Sequence, residues 1–361
     1  MIDAITTQQN KRLQLPLGFF DKTGEELRRQ RIVEGIFRAE GASKGYAEIE
    51  TPILENAEAL PKELFCCWKR QGFIRLNLPD YNAQLCTIRS AQVILRPEGT
   101  IPVCRWLATK IANGDSALPV KLIYSIDCYR NEPVEELTNH KRRQFNQLGV
   151  EFIGESSSQA DEEVIQYAYA VMRGVGIAKE NIRIRLSNIE LFKRLCNDSE
   201  FTQRRQYTLQ EKIDGFSKAR ALGKANELSL PELRSLNSGL KSRWENLLTT
   251  YNARESTVEK IDPCLAQTLR NLRRVPIVVD TSVVRGFSYY TGPVFQIDVR
   301  KNGNWVAEIG GGGRYDELIG QNLKTFGMNL KIPATGFAFG TERLVQSSNL
   351  PAGKYKIEMS I

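Results

Sequence analysis

The 361 residues carry 50 lysines and arginines against 42 aspartates and glutamates, a formal charge of +8, with 41% hydrophobic content. That length predicts one large domain plus a smaller module, and the basic balance suits polyanionic partners such as nucleotides or nucleic acid. No run approaches roughly 18 consecutive apolar residues and Met1 to Gln14 is too polar for a signal peptide, so a cytoplasmic protein without a membrane span is expected. The seven cysteines, from Cys66 to Cys264, show no CxxC or Cys/His ligand spacing, which predicts reduced thiols and no protein-built metal cage. Any nucleophilic triad would rest on the single histidine, His140, which sits in a polar run.

Thr23-x-x-Glu26 reads as a capping box opening an amphipathic helix that ends near Gly41. Gly45 to Glu55 alternates polar and apolar residues up to Pro52, a strand meeting a break, whereas Lys62 to Ser90 has no clear pattern. Pro119 to Ile126 and Arg143 to Ile153 are strand candidates joined by a polar loop, an antiparallel pair. Ser158 is placed to cap a helix over Gln159 to Arg173, with Val164, Ile165, Ala168 and Val171 inward. Ile182 to Leu186 alternates as a strand, and Asn188 to Leu272 is helix-forming almost throughout. Strand character returns at Pro276 to Asp280, Val294 to Val299 and Trp305 to Ile309, with Asn302-Gly303 as a type I′ turn joining the last two. A final helix is expected from near Phe339. Strands on both sides of a helical stretch predict an α+β fold divided into a core (residues 1–186), a helical insertion (187–273) and the rest of the core (274–361). With no GxxxxGK[ST] and no GxGxxG, a nucleotide would have to be held by something other than a phosphate loop.

Several residues carry possible chemistry. Arg130, with Glu132 two positions on and so expected on the same strand face, Arg285 in VVRGFSYYTG and Arg343 in GFAFGTERL each offer a guanidinium fork suited to phosphate oxygens. Gly310 to Gly313, expected directly after a strand, allow something to approach the main chain, and Arg314-Tyr315-Asp316 follows at once. Glu98 lies between Pro97 and Gly99 on a rigid turn, and Gln147 and Glu151, four apart, share one strand face; such carboxylates suit an ammonium group or an imidazole N–H. Tyr289 and Tyr290 point to opposite faces if extended, one into a pocket and one into packing.

In chain order, LRPEGT, RRQFNQLGVEFIG, VVRGFSYYTGPVFQI, GGGRYDELIG and TGFAFGTERL resemble the successive signatures of the histidyl-tRNA synthetase family, over roughly Leu17 to Leu344. The resemblance implies a class II aminoacyl-tRNA synthetase-like antiparallel sheet, with GYAEIETP as motif 1 at a homodimer interface, Cys128 to Ile153 as motif 2 and Gly336 to Leu344 as motif 3. It implies ATP carried with Mg2+: Arg130 and Glu132 at the ATP site with Arg130 on the α-phosphate, Arg143 on the outer phosphates, and Phe145 and Arg343 about the adenine. Arg285 would stabilise the charge as the histidine carboxylate attacks. Glu98, Thr100 and Gln147 would hold the amino group of histidine, Glu151 and Tyr290 would read its imidazole, and Tyr315 would line the pocket. The family continues into an anticodon-binding domain, whereas 17 residues follow Leu344 here, and anticodon reading is not expected. The acidic Pro133 to Thr138 replaces the family's basic motif 2 loop, and Ser288 stands where the family usually has Asp, so the acceptor is tRNA or another group. The related regulatory subunit of ATP phosphoribosyltransferase, which senses histidine as partner of a short phosphoribosyltransferase, is the alternative implied function.

Overall fold

The computed structural model describes residues 14–56, 74–82, 87–115, 117–138, 141–224, 233, 236–284 and 289–350. Helix α1 (Gly24–Ser43) overruns its expected stop because Gly41 serves packing: a Cβ there would meet Ile123 and the Tyr167 hydroxyl, which donates to Phe37 O at 2.6 Å. Thr23 does occupy the N-cap position, yet its side chain makes no cap hydrogen bond and Glu26 turns to Arg142 at 3.3 Å, so the predicted capping box is not formed.

Beyond α1 the Gly45 to Glu55 segment divides into two short strands, β1 (Ala47–Glu48) and β2 (Leu54–Asn56). The patternless stretch yields β3 (Arg75–Asn82) and β4 (Thr87–Leu95), which with β2 form a three-stranded sheet in the order β2-β4-β3. Pro79 lies in β3, at the edge of that sheet, where a missing N–H costs least. Helix α2 (Thr100–Ala112) leads to the long antiparallel pair β5 (Val120–Tyr129) and β6 (Gln144–Ile153), as expected. Helix α3 (Ser158–Gly174) has Ser157 rather than Ser158 at its N-cap, and it buries Val164, Ile165, Ala168 and Val171.

After β7 (Ile182–Asn188) the described residues form five helices: α4 (Ile189–Asp198), α5 (Gln203–Ala221), α6 (Ser238–Thr249), α7 (Glu255–Ile261) and α8 (Pro263–Asn271). Asp262 caps α8, its carboxylate accepting from Cys264 N and Leu265 N while Asn188 donates to it from outside. The contrast with Thr23 is testable by thermal unfolding: Asp262→Ala is expected to cost about 1 kcal/mol or more, and Thr23→Ala less than about 0.5 kcal/mol.

Strands β8 (Ile277–Val279), β9 (Pro293–Lys301) and β10 (Asn304–Arg314), helix α9 (Leu318–Leu323), β11 (Ala334–Gly340) and α10 (Thr341–Ser347) complete the chain. Asn302 and Gly303 both have positive φ, 50° and 81°, as a type I′ hairpin turn requires. Phe339, expected to start the last helix, lies in β11, paired with both Gly310 and Leu148, and the helix starts at Thr341. The main sheet has eight strands in the order β1-β5-β6-β11-β10-β9-β7-β8, antiparallel except at its two outer pairs. One face packs on α2, α4, α5, α6 and α9 through residues such as Leu107, Phe192, Ile213, Trp244 and Ile319. The other packs on α1, α3, α7, α8 and α10 through Phe37, Val164, Val258, Leu265 and Leu344. Among the described residues no helix is long and apolar enough to cross a membrane, and Cys104, Cys128, Cys196 and Cys264 are free thiols.

Candidate functional site

The four glycines expected after a strand instead sit inside β10, between β9 and β11 near the middle of the sheet. A side chain added to Gly312 would run into Gly336 O and Phe337, and one added to Gly336 into the Glu151 carboxylate. Main chain without side chains on adjacent central strands leaves a floor for a cavity of about 730 Å³, lined here by Gly310, Gly311, Gly336, Ala338 and Gly340. Strand alternation then decides what faces it. Gln147 and Glu151 fall on one face of β6, with Gly149 between them under the Tyr124 ring, as their spacing predicts.

At the enclosed end of the cavity, Glu98 accepts from Thr100 N (3.0 Å) and Ile101 N (2.6 Å), the first N–H groups of α2. Gln147 Oε1 accepts from Gly99 N, which ties the same turn to β6. Arg96 holds the turn from behind through Asp127 O at 2.7 Å. Beneath these groups lies Glu151, 1% exposed, whose Oε1 accepts from the Thr100 hydroxyl at 2.8 Å and the Tyr124 hydroxyl at 3.1 Å. Its Oε2 accepts from the Tyr315 hydroxyl. Burial pushes Glu151 up from 4.5 to about 8, against the pull of the Tyr315 and Thr100 hydrogen bonds. Burial also raises Glu98, offset in part by the two backbone N–H groups and by Arg130. Tyr289 and Tyr290 both line the cavity, with ring centroids 4.8 Å apart, rather than dividing between pocket and packing.

The outer part of the cavity carries the guanidinium groups. Arg130 stacks on Phe145, 4.8 Å from its centroid, and donates to Pro97 O. Arg343 donates to Glu308 O at 2.7 Å. Arg130 and Glu132 lie beyond the end of β5, not on one strand face as expected, although both line the cavity. Arg143 is not among the lining residues, because its guanidinium is taken by Glu132 O and Leu17 O. Arg142 lines the cavity in its place, flanked by Phe20 and Glu26. Arg285, Ser288 and His140 lie outside the described residues. Glu98, Thr100, Arg130, Glu132, Phe145, Gln147, Tyr290, Tyr315 and Arg343 thus share one cavity, and Glu151 is bonded directly to two of them.

Sequence reasoning missed other lining groups: Gln296 on β9, Glu308 on β10, and Gln210, Asp214 and Lys218 on α5. Gln296 had a signal, a polar residue inside the apolar run VFQI. Asp214 and Lys218, an ordinary i, i+4 helix pair, had none.

An antiparallel sheet packed on both faces by helices, with a side-chain-free floor and arginines from the loop after β5 and from the first turn of α10, is a class II aminoacyl-tRNA synthetase-like core. The histidyl-tRNA synthetase of Nostoc sp. PCC 7120 shares this fold, with a TM-score of 0.65 at 18% identity over 92% of this chain and 74% of that one. The sequence profile of the histidyl-tRNA synthetase family matches residues 18–344, and the chain belongs to that family. The histidine-tRNA ligase of Sulfolobus acidocaldarius is 31% identical over 339 residues, covering 90% of this chain and 72% of that protein. The ATP phosphoribosyltransferase regulatory subunit of Clostridium acetobutylicum is 28% identical over 352 residues, covering 93% and 79%. The solved ATP phosphoribosyltransferase regulatory subunit/histidyl-tRNA synthetase of Bacillus halodurans C superposes with a TM-score of 0.69 at 25% identity, over 94% of this chain and 84% of that one. The relatives thus divide between ligases and regulatory subunits.

Proposed function

We propose that this chain binds histidine and ATP in the one cavity and joins them into histidyl-adenylate, for transfer to tRNA or another acceptor. The observation that carries the reading is that one cavity is lined by Glu98 and Gln147, with Glu151 bonded beneath them through Thr100 and Tyr315, and also by Arg130, Arg142 and Arg343. A cationic amino acid seated among the carboxylates would present its own carboxylate toward the guanidinium groups, where a triphosphate would lie. That carboxylate oxygen would form a bond to the α-phosphorus while the bond to the bridging β-phosphate oxygen breaks and pyrophosphate leaves. The attacking group is already ionised, so the protein's part is positioning and fixed positive charge rather than a side-chain base. Arg285 is assigned to this charge by the family resemblance alone. Magnesium, implied by the family resemblance, would arrive on the phosphates with few protein ligands. A homodimer in the cytoplasm is part of the same reading.

Histidine-dependent exchange of pyrophosphate into ATP tests it. Arg130→Ala is expected to lower the exchange rate by about 100-fold, in line with loss of one preorganised charge contact at developing charge. A folded, histidine-binding protein without exchange rules the reading out.

A second reading, the regulatory subunit of ATP phosphoribosyltransferase, draws on the cavity rim, where Glu132 and Glu136 both engage Lys141. Two carboxylates on one lysine at the entrance disfavour a triphosphate there. Co-purification with a short phosphoribosyltransferase, together with histidine sensitivity conferred on it, would support this role in histidine biosynthesis.

A further inference from the structure

Glu308 is a non-glycine residue with φ of 60°, a left-handed conformation in which its Cβ crowds the following carbonyl. It lies in a bulge: between Val306 and Gly310 strand β10 advances four residues while β9 moves two, from Val299 to Ile297. The residue of β9 opposite is Asp298, and its Oδ1 accepts from Glu308 N at 3.1 Å, replacing the ladder bond that the bulge removes. Oδ2 of Asp298, fully buried, takes Arg183 and Arg185, so the bulge is anchored in an ionic cluster. What this conformation achieves is visible on the cavity side. The Glu308 carbonyl accepts from Arg343, while its carboxylate accepts from Gln296 and faces Lys218 Nζ of α5 at 3.2 Å. Asp214, one turn earlier on α5, holds the same ammonium at 2.7 Å. Helix α5 is itself fastened by Arg220 to Asp280 and by Ser217 to Arg185, so Lys218 is carried on a fixed element.

We propose that Glu308 is a positioning residue for the outer half of the cavity: its left-handed backbone presents a carbonyl to Arg343, and its carboxylate holds Lys218 at the wall, setting the places of two cations. The inference rests on the proposed nucleotide site for its functional consequence, but the positioning itself does not depend on any ligand. Bulges re-aim side chains beside sites, and a strained residue persists where the surroundings over-determine it, as Asp298 does here.

Glu308→Gly keeps the positive φ, and with it the carbonyl bond to Arg343, but removes the carboxylate. Glu308→Val, β-branched, is driven out of the left-handed region and so disturbs both. Two measurements test the proposal. In the ligand-free protein, competitive acetylation read by mass spectrometry follows Lys218. Desolvation in the cavity lowers its pKa, but Asp214 and Glu308 outweigh that and raise it above 10.5. Glu308→Gly is therefore expected to make Lys218 react at least threefold faster at pH 8. Calorimetric titration follows ligands: ATP affinity is expected to be about tenfold lower in Glu308→Val than in Glu308→Gly, because only the valine variant loses the carbonyl contact to Arg343, with histidine affinity within twofold of the parent in both and the thermal midpoint of Glu308→Gly no lower. A merely structural residue would lose stability and affinity together. Unchanged Lys218 reactivity in Glu308→Gly overturns the proposal, as does ATP binding by Glu308→Val within twofold of Glu308→Gly. If the parent binds no ATP, the proposed function falls, and the acetylation result alone decides the positioning. If Glu308→Val does not fold, the glycine variant decides.

Discussion

Glu151→Gln is expected to lower histidine affinity by about 10- to 100-fold while leaving the chain folded. A carboxylate has about four acceptor sites, and the hydroxyls of Thr100, Tyr124 and Tyr315 occupy three of them. One is left for a ligand N–H at the bottom of the cavity, and a hydrogen bond to a charged acceptor contributes about 1.5–3 kcal/mol, one to two decades in affinity. Glutamine has the same shape, and the three hydroxyls can rotate to accept from its amide, so stability near neutral pH should be kept. The pH dependence separates the two proteins further. Because the folded value of Glu151 is raised from 4.5 to about 8, its contribution to stability is fully present below 4.5 and is lost as pH rises through 8. Burial shifts Glu98 in the same direction. The parent should therefore melt at lower temperature at pH 9 than at pH 5.5 by more than Glu151→Gln does, as thermal scans across that range would show. Binding a cation beside Glu151 favours its charged form, so histidine binding near pH 7 should release protons, measurable by calorimetry in buffers of different ionisation enthalpy. Affinity in the glutamine variant within threefold of the parent would leave Glu151 with a structural role alone.

The largest loss of stability is expected from Asp298→Ala, about 3–5 kcal/mol by urea unfolding. Asp298 and Arg185 are both fully buried, and Arg183 is nearly so. Removing the carboxylate leaves Arg183 without its carboxylate partner and Arg185 with Asp280 as its remaining one. It also takes the acceptor from Glu308 N. Deleting one member of a buried ionic cluster leaves charge that cannot return to water, which is why such changes cost more than the intact pair contributes. Asn at the same position keeps the shape and an acceptor oxygen, and should lose less than Ala. A loss below about 1 kcal/mol for Asp298→Ala would mean that Asp280 and solvent suffice for both guanidinium groups.

Legibility in the chain followed the range of the forces involved. The long strands β5, β6, β7 and β9, helix α3 and the Asn302-Gly303 hairpin were readable because alternation, helical spacing and turn chemistry act between near neighbours. The three-stranded sheet was not. Strand β3 contains Pro79 and Asp80, which no local preference favours, and its partner β4 supplies the pairing from outside. The Thr23 cap failed for a similar reason, since Glu26 found Arg142, 116 positions away.

At the site, residue types and ordered motifs singled out Glu98, Glu132, Gln147, Arg130 and Arg343, which the fold brings to one cavity, but not Asp214 or Glu308. Order along the chain could not show that Arg142 rather than Arg143 enters the cavity, that α5 supplies a wall, or that Glu308 adopts a left-handed turn. Those outcomes depend on which strand lies beside which and on a two-residue bulge facing Asp298, contacts made across 10 to 126 positions of sequence. Local pattern therefore specifies which segments become strands and helices and which residue types are candidates for the cavity, while the packing of distant segments sets where each charge stands.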